Sequence, residues 1–188
     1  MTLARRRPQV EQFKREFHQQ SNGDWKTFGA GGYGGAMFLN MLVPYAPDRD
    51  ELTRQLKFAL ALPIDEASAQ QKLQKFLTYL QALIRSGAPN KTPSESSMGF
   101  FVSFFWHIQD PQRWPIYYPS VRDALINDGL FQKDADRVQS YLAFRRTVLE
   151  LGTSLGLSPL WIEQLPLRFP ESKQADESAV VRSSGRYA

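Results

Sequence analysis

Cysteine is absent from all 188 residues. That excludes disulfides, thiolate nucleophiles and the cysteine-based zinc sites common in small recognition domains. Histidine is scarce: the two, His18 and His107, lie far apart, and neither has a partner at a metal-ligand spacing. No serine occupies a nucleophile-elbow context. No apolar run reaches the about 20 residues that a bilayer-spanning helix needs. None follows Arg5, Arg6 and Arg7 either, so a secretory leader is not expected. Strict apolar–polar alternation is missing as well, and with it any convincing strand. These gaps predict an all-α protein without catalytic residues, cofactor, metal or membrane contact, in keeping with the cytoplasm.

What is present suits a single packed core. The chain is 42% hydrophobic with a formal net charge of +4, and its isoelectric point is near 9.4. The slight basic excess is compatible with nucleic acid without demanding it. Residues 1–168 are expected to form one all-α recognition domain, a compact bundle of about seven or eight helices. Residues 169–188 turn polar and read as a tail or linker towards a further C-terminal module.

The organising stretch is residues 92–128. Thr92, Pro93 and Glu95 sit where a capping box places them. From Met98 to Ile108 the sequence is apolar on nearly every face, which marks a buried helix. Phe101, Phe105, Trp106 and Ile108 are expected to pack against Phe38, Leu42, Leu77 and Leu80. Pro111, Pro115 and Pro119 then forbid a helix and fix an extended, turning segment. Ser120 is placed to cap a helix over 121–127, which Gly129 ends.

The remaining helices follow from periodicity and punctuation. One covers 8–20 on Val10, Phe13 and Phe17. The apolar run 36–43 is core, with Pro44 and Pro47 stopping it. Asp48 and Glu51 resemble a capping box for a helix carrying Leu52, Leu56, Ala59 and Leu60. Residues 66–86 give the cleanest amphipathic pattern, and a long helix spans about 133–155. A short one follows, capped by Ser158, with Pro159 in its first position and Trp161 facing in.

Binding chemistry concentrates in two places. Gly29 to Gly34 match G-x-G-x-x-G in form only, because no β-branched strand precedes them. A flexible connection, or free N–H groups that hold a phosphate, are the other readings of Gly31, Gly32 and Tyr33. The proline-fixed segment carries Arg113, Trp114, Tyr117 and Tyr118, and Arg122 lies in the next helical turn. Aromatics beside arginines on a rigid loop suit base stacking and phosphate contact. The same aromatics could instead fold back onto the core, with Arg113 paired to an acid. The expected DNA-binding set is Trp25, Lys26, Gly31, Gly32, Tyr33, Lys91, Arg113, Trp114, Tyr117, Tyr118 and Arg122. Arg5 to Arg7 read either as a solvated terminus or as a phosphate-contacting arm.

The run Phe104-Phe105-Trp106-His107-Ile108-Gln109-Asp110-Pro111-Gln112-Arg113-Trp114-Pro115-Ile116-Tyr117-Tyr118-Pro119 resembles a segment of the helical N-terminal regions of bacterial defence proteins. In these, an apolar helix leads into Asp/Asn-Pro-x-Arg-aromatic-Pro-Ile and a short helix. Such regions precede the GTPase of McrB-type, modification-dependent restriction systems. The ending Ser184-Gly185-Arg186-Tyr187-Ala188 resembles the lead-in to that AAA+ module. The resemblance covers about a fifth of the chain and supplies no catalytic residue. It implies a non-catalytic domain that recognises double-stranded DNA, plain or modified, with a modified or flipped base as the feature read. A full-length parent would add the AAA+ GTPase module and a nuclease subunit. The alternative is a protein-interaction or assembly module of a defence complex that binds no DNA. A helix–hairpin–helix DNA enzyme is a weaker third reading.

Overall fold

The computed structural model describes residues 9–28, 35–86, 94–159 and 162. Among them are seven α-helices and no strand. They are α1 Gln9–Asn22, α2 Ala36–Tyr45, α3 Arg49–Leu60, α4 Glu66–Ser86, α5 Glu95–Gln109, α6 Pro119–Asn127 and α7 Arg137–Leu155, with a 3-10 turn at Lys26–Phe28 after α1. The all-α expectation therefore holds. The tail 169–188, Arg5 to Arg7, Thr92, Pro93 and Trp161 lie outside the described residues.

Helix α5 is the centre. Every residue from Met98 to His107 is buried, because α1, α2, α3, α4 and α7 all pack on it or around it. An apolar-all-round helix can be stable in water only under such cover. The cover is largely aromatic. Phe101 stacks on Phe38 at 4.5 Å and meets Phe17 at 6.2 Å, while Trp106 donates its indole N–H to the Ala59 carbonyl at 2.9 Å. Leu42, Leu77 and Leu80 are buried in the same core.

Ile108 departs from expectation, with 37% of its surface exposed. Only the last two residues of α5 emerge from the covering helices, and Gln109 beside it is exposed too.

Helix boundaries follow their caps. Asp48 accepts hydrogen bonds from the Asp50 and Glu51 N–H groups at 2.8 and 2.9 Å. Glu51 does not complete a capping box; its carboxylate takes Arg54 and Gln55 instead. Asp136 caps α7 through Val138 and Gln139, so that helix starts at Arg137 and not near 133. Pro44 lies within the last turn of α2 and does not end it. Ser94 caps α5. Ser120 is not a cap: α6 begins two residues earlier than expected, with Pro119 at its first position and Tyr118 as its boundary residue. Proline's fixed φ already suits that position, so it takes precedence over the serine. Gly129 ends α6 as expected, at φ 69°, a conformation that costs glycine little.

Candidate nucleic-acid interface

Residues 110–118 form a strap that runs back along α5. Its prolines remove N–H donors, yet its carbonyls still need partners once covered. Side chains of α5 and α7 supply them. Arg145 Nε donates to the Arg113 carbonyl at 2.8 Å. His107 Nδ1 donates to the Trp114 carbonyl at 3.1 Å, which fixes the tautomer with its proton on Nδ1. The Tyr141 hydroxyl donates to the Pro115 carbonyl at 3.3 Å. In the other direction, the Tyr117 N–H donates to Ser103 Oγ at 2.9 Å, and the Tyr117 hydroxyl pairs with that of Ser140 at 2.8 Å.

These bonds pull the strap's aromatics inward. Trp114 is 0% exposed, edge-on to Trp106 at 5.3 Å and under the Arg145 guanidinium at 4.3 Å. Tyr117 is 7% exposed and lies against Phe144 at 4.9 Å. Its ring also explains Gly99: a Cβ there would fall 2.8 Å from Tyr117 Cδ1. The expectation that Trp114 and Tyr117 stand out to stack on bases is therefore corrected. A buried N–H or carbonyl without a partner costs about 1–3 kcal/mol, and satisfying the strap backbone from α5 and α7 carries both rings into the core.

The other expected residues are scattered. Arg113 bonds the Ile64 carbonyl and lies 3.7 Å from Asp110, so it sits at the C-terminal end of α5. Tyr118 packs on Phe100 at 5.6 Å, in the opposite half of α5, about 14 Å away along a helix rising 1.5 Å per residue. Arg113 and Tyr118 are therefore held at opposite ends of the strap. Trp25 is half-buried against Phe104 at 5.4 Å and Phe17 at 5.9 Å, serving the core. Gly31, Gly32, Tyr33 and Lys91 lie outside the described residues.

One group does converge. The Tyr118 hydroxyl donates to the Phe28 carbonyl at 3.1 Å, which ties the 3-10 turn containing exposed Lys26 to the residue that precedes α6. No side chain caps that helix start, and no acid occupies its first turn. Arg122 does, pairing with Asp123 at 2.6 Å and lying 5.7 Å from the Tyr117 ring.

Of the residues that hold the strap, His107 was expected as a satisfied core histidine, and it is one; the strap-holding roles of Ser103, Ser140, Tyr141 and Arg145 were not anticipated. Their signal was legible: Ser103 and His107 are the polar pair, four residues apart, in the otherwise apolar run Met98 to Ile108. Such a pair marks where a polar-needy segment must lie.

His107 is buried, and burial pushes its pKa below the ordinary 6.5, although the Trp114 carbonyl acts in the opposite sense. The unfolded chain then binds the proton more readily than the folded one. This part of the stability is complete above about 6.5 and is lost as pH falls below it, until the folded ring itself protonates. The denaturant midpoint should drop between pH 7.5 and about 5.5, and His107→Asn should flatten that drop. An unchanged pH profile in the variant would remove His107 as the cause.

Among the described residues no group of three or more His, Asp or Glu could hold a metal, and no helix is long and apolar enough to cross a membrane. Comparison with family models, with curated proteins and with solved structures finds no match.

Proposed function

We propose that this chain is a non-catalytic target-recognition domain of a McrB-like defence protein, and that it contacts double-stranded DNA through phosphates at the start of α6. The observation that carries the reading is the uncapped N-terminus of α6 with Arg122 in its first turn. N–H groups there favour an anion, whereas an arginine in the same turn is unfavourable to the helix alone. A phosphate would take the N–H groups and compete with Asp123 for the Arg122 guanidinium. The resemblance to defence-protein N-terminal regions supports the same class of function. The AAA+ GTPase module and nuclease subunit of a longer parent belong to this proposal. With Trp114 and Tyr117 in the core, contact by phosphate is the form the reading takes, and modified-base stacking by those two rings is withdrawn.

Duplex binding should weaken steeply with salt. Arg122→Ala should weaken plain and modified duplexes alike and reduce the salt slope by about one. Binding that ignores salt, or a variant with the parental slope, would overturn the phosphate reading.

The assembly-module reading has its own observation. Ile126 on α6 and Leu130 just after it are 37% and 50% exposed, and an apolar contact of that kind is nearly salt-independent. Loss of a protein partner on Ile126→Asp, with duplex binding absent throughout, would favour it.

A further inference from the structure

A cavity of about 290 Å³ opens between α1, α3 and α5, away from α6 and independent of the DNA reading. Its walls are Val10, Phe13, Leu56, Leu60 and Phe105. Phe13 leans towards Phe105, at 5.6 Å between ring centroids, and Phe17, at 6.4 Å. The seam between α1 and α3 is left unfilled. Thr53 also lines the space, but its hydroxyl donates to the Arg49 carbonyl at 2.8 Å and offers no free proton.

The opening is different in character. Among the described residues, Lys57 is the one charged residue of the lining. It is exposed, and its Nζ donates to Gln9 Oε1, another lining group, at 2.7 Å. An ammonium has three donors, so, among the described residues, two are left for a ligand at the mouth. An apolar hollow with one anchored cation at its edge has the form of a small-molecule site. The volume is at the lower end of such sites, about 300–1,000 Å³, and suits one slender chain, not a fused-ring or nucleotide ligand.

We infer that this cavity binds a straight-chain amphiphile with an anionic head, its chain between α1 and α3 and its carboxylate on Lys57. The inference is one of binding and includes no chemical step. The site calls for chain length and head charge to be read separately, and each has its own probe.

The test uses the full chain and titrates it with octanoate, decanoate and decanol below their aggregation limits, by calorimetry and by amide chemical shifts. Saturable one-to-one binding is expected. Decanoate should bind roughly tenfold more tightly than octanoate, because each methylene is worth about a threefold to fourfold gain. Decanol should be at least about fivefold weaker than decanoate, as befits loss of a charge-assisted hydrogen bond. Lys57→Met should erase the preference for decanoate and leave decanol unchanged. Ala61→Trp, at an exposed lining position, should block both, with helix content unaltered by circular dichroism. Absence of saturable binding, or unaltered binding to the Ala61→Trp variant, overturns the site. Equal affinity for decanoate and decanol overturns the anionic head. Binding of a leucine-rich amphipathic peptide in place of decanoate overturns the ligand class.

Discussion

Trp114→Ala is expected to cost about 3–5 kcal/mol of folding stability, the range for truncating a large buried aromatic. The ring has no exposed surface. It fills the space between Trp106 on α5 and Arg145 on α7, so its removal leaves a hole that two helices cannot both close. The loss would not stop at packing. The Trp114 carbonyl is the partner of buried His107, and a strap that shifts to fill the hole strands that donor. Urea denaturation measures the effect. A loss under about 1 kcal/mol would place the ring at the surface, where substitutions have small effects. Trp114→Phe should be milder, for a specific reason. The indole Nε1 is buried with no hydrogen-bond partner, and phenylalanine removes that orphan donor together with part of the volume.

The expected cost also locates where sequence reasoning succeeds and stops. Apolar periodicity found the helices because burial on one face leaves a direct trace in residue spacing. The helix expected at 66–86 is α4, Glu66–Ser86. The continuous apolar run around Phe101 became the central helix for the same reason. The strap is another matter. Three prolines announce a rigid, non-helical segment, but rigidity has no direction: a fixed backbone can hold Trp114 out to a ligand or in to a core. The choice was made elsewhere, by Ser103 and His107 on α5 and by Ser140, Tyr141 and Arg145 on α7, whose spacing carries the information only when α5 and α7 are known to flank the strap. Of the expected binding residues, Arg122 was legible in the first turn of α6, because Gly129 marks that helix's end, although its start was read from Ser120 and not from Pro119. Its pairing with Asp123 is a contact between neighbours in sequence, which helix periodicity does not address.

Arg145→Ala should destabilise the fold by about 2–4 kcal/mol, more than an exposed arginine could. Three attachments converge on this side chain, which is only 13% exposed. Its Nε donates to the Arg113 carbonyl at 2.8 Å, a hydrogen bond from a charged donor, worth roughly 1.5–3 kcal/mol. Its guanidinium covers the Trp114 ring at 4.3 Å, a cation–π contact worth about 0.5–2 kcal/mol where desolvated. Its Nη1 meets Glu66 at 3.2 Å, but Glu66 is 39% exposed and shared with Arg146, so screening leaves that pair about 0–1 kcal/mol. The backbone bond and the ring contact therefore dominate, and salt should barely change the loss. Arg145→Lys tests the geometry, not the charge. An ammonium on a shorter reach cannot bond the carbonyl and cover the indole together, so lysine should recover less than half of the stability. A double-mutant cycle with Trp114→Phe isolates the ring contact, and coupling of about 0.5 kcal/mol or more is expected between two touching side chains. Full rescue by lysine, or a loss that disappears in high salt, would mean that the strap is held by charge alone and that the backbone bond from α7 contributes little.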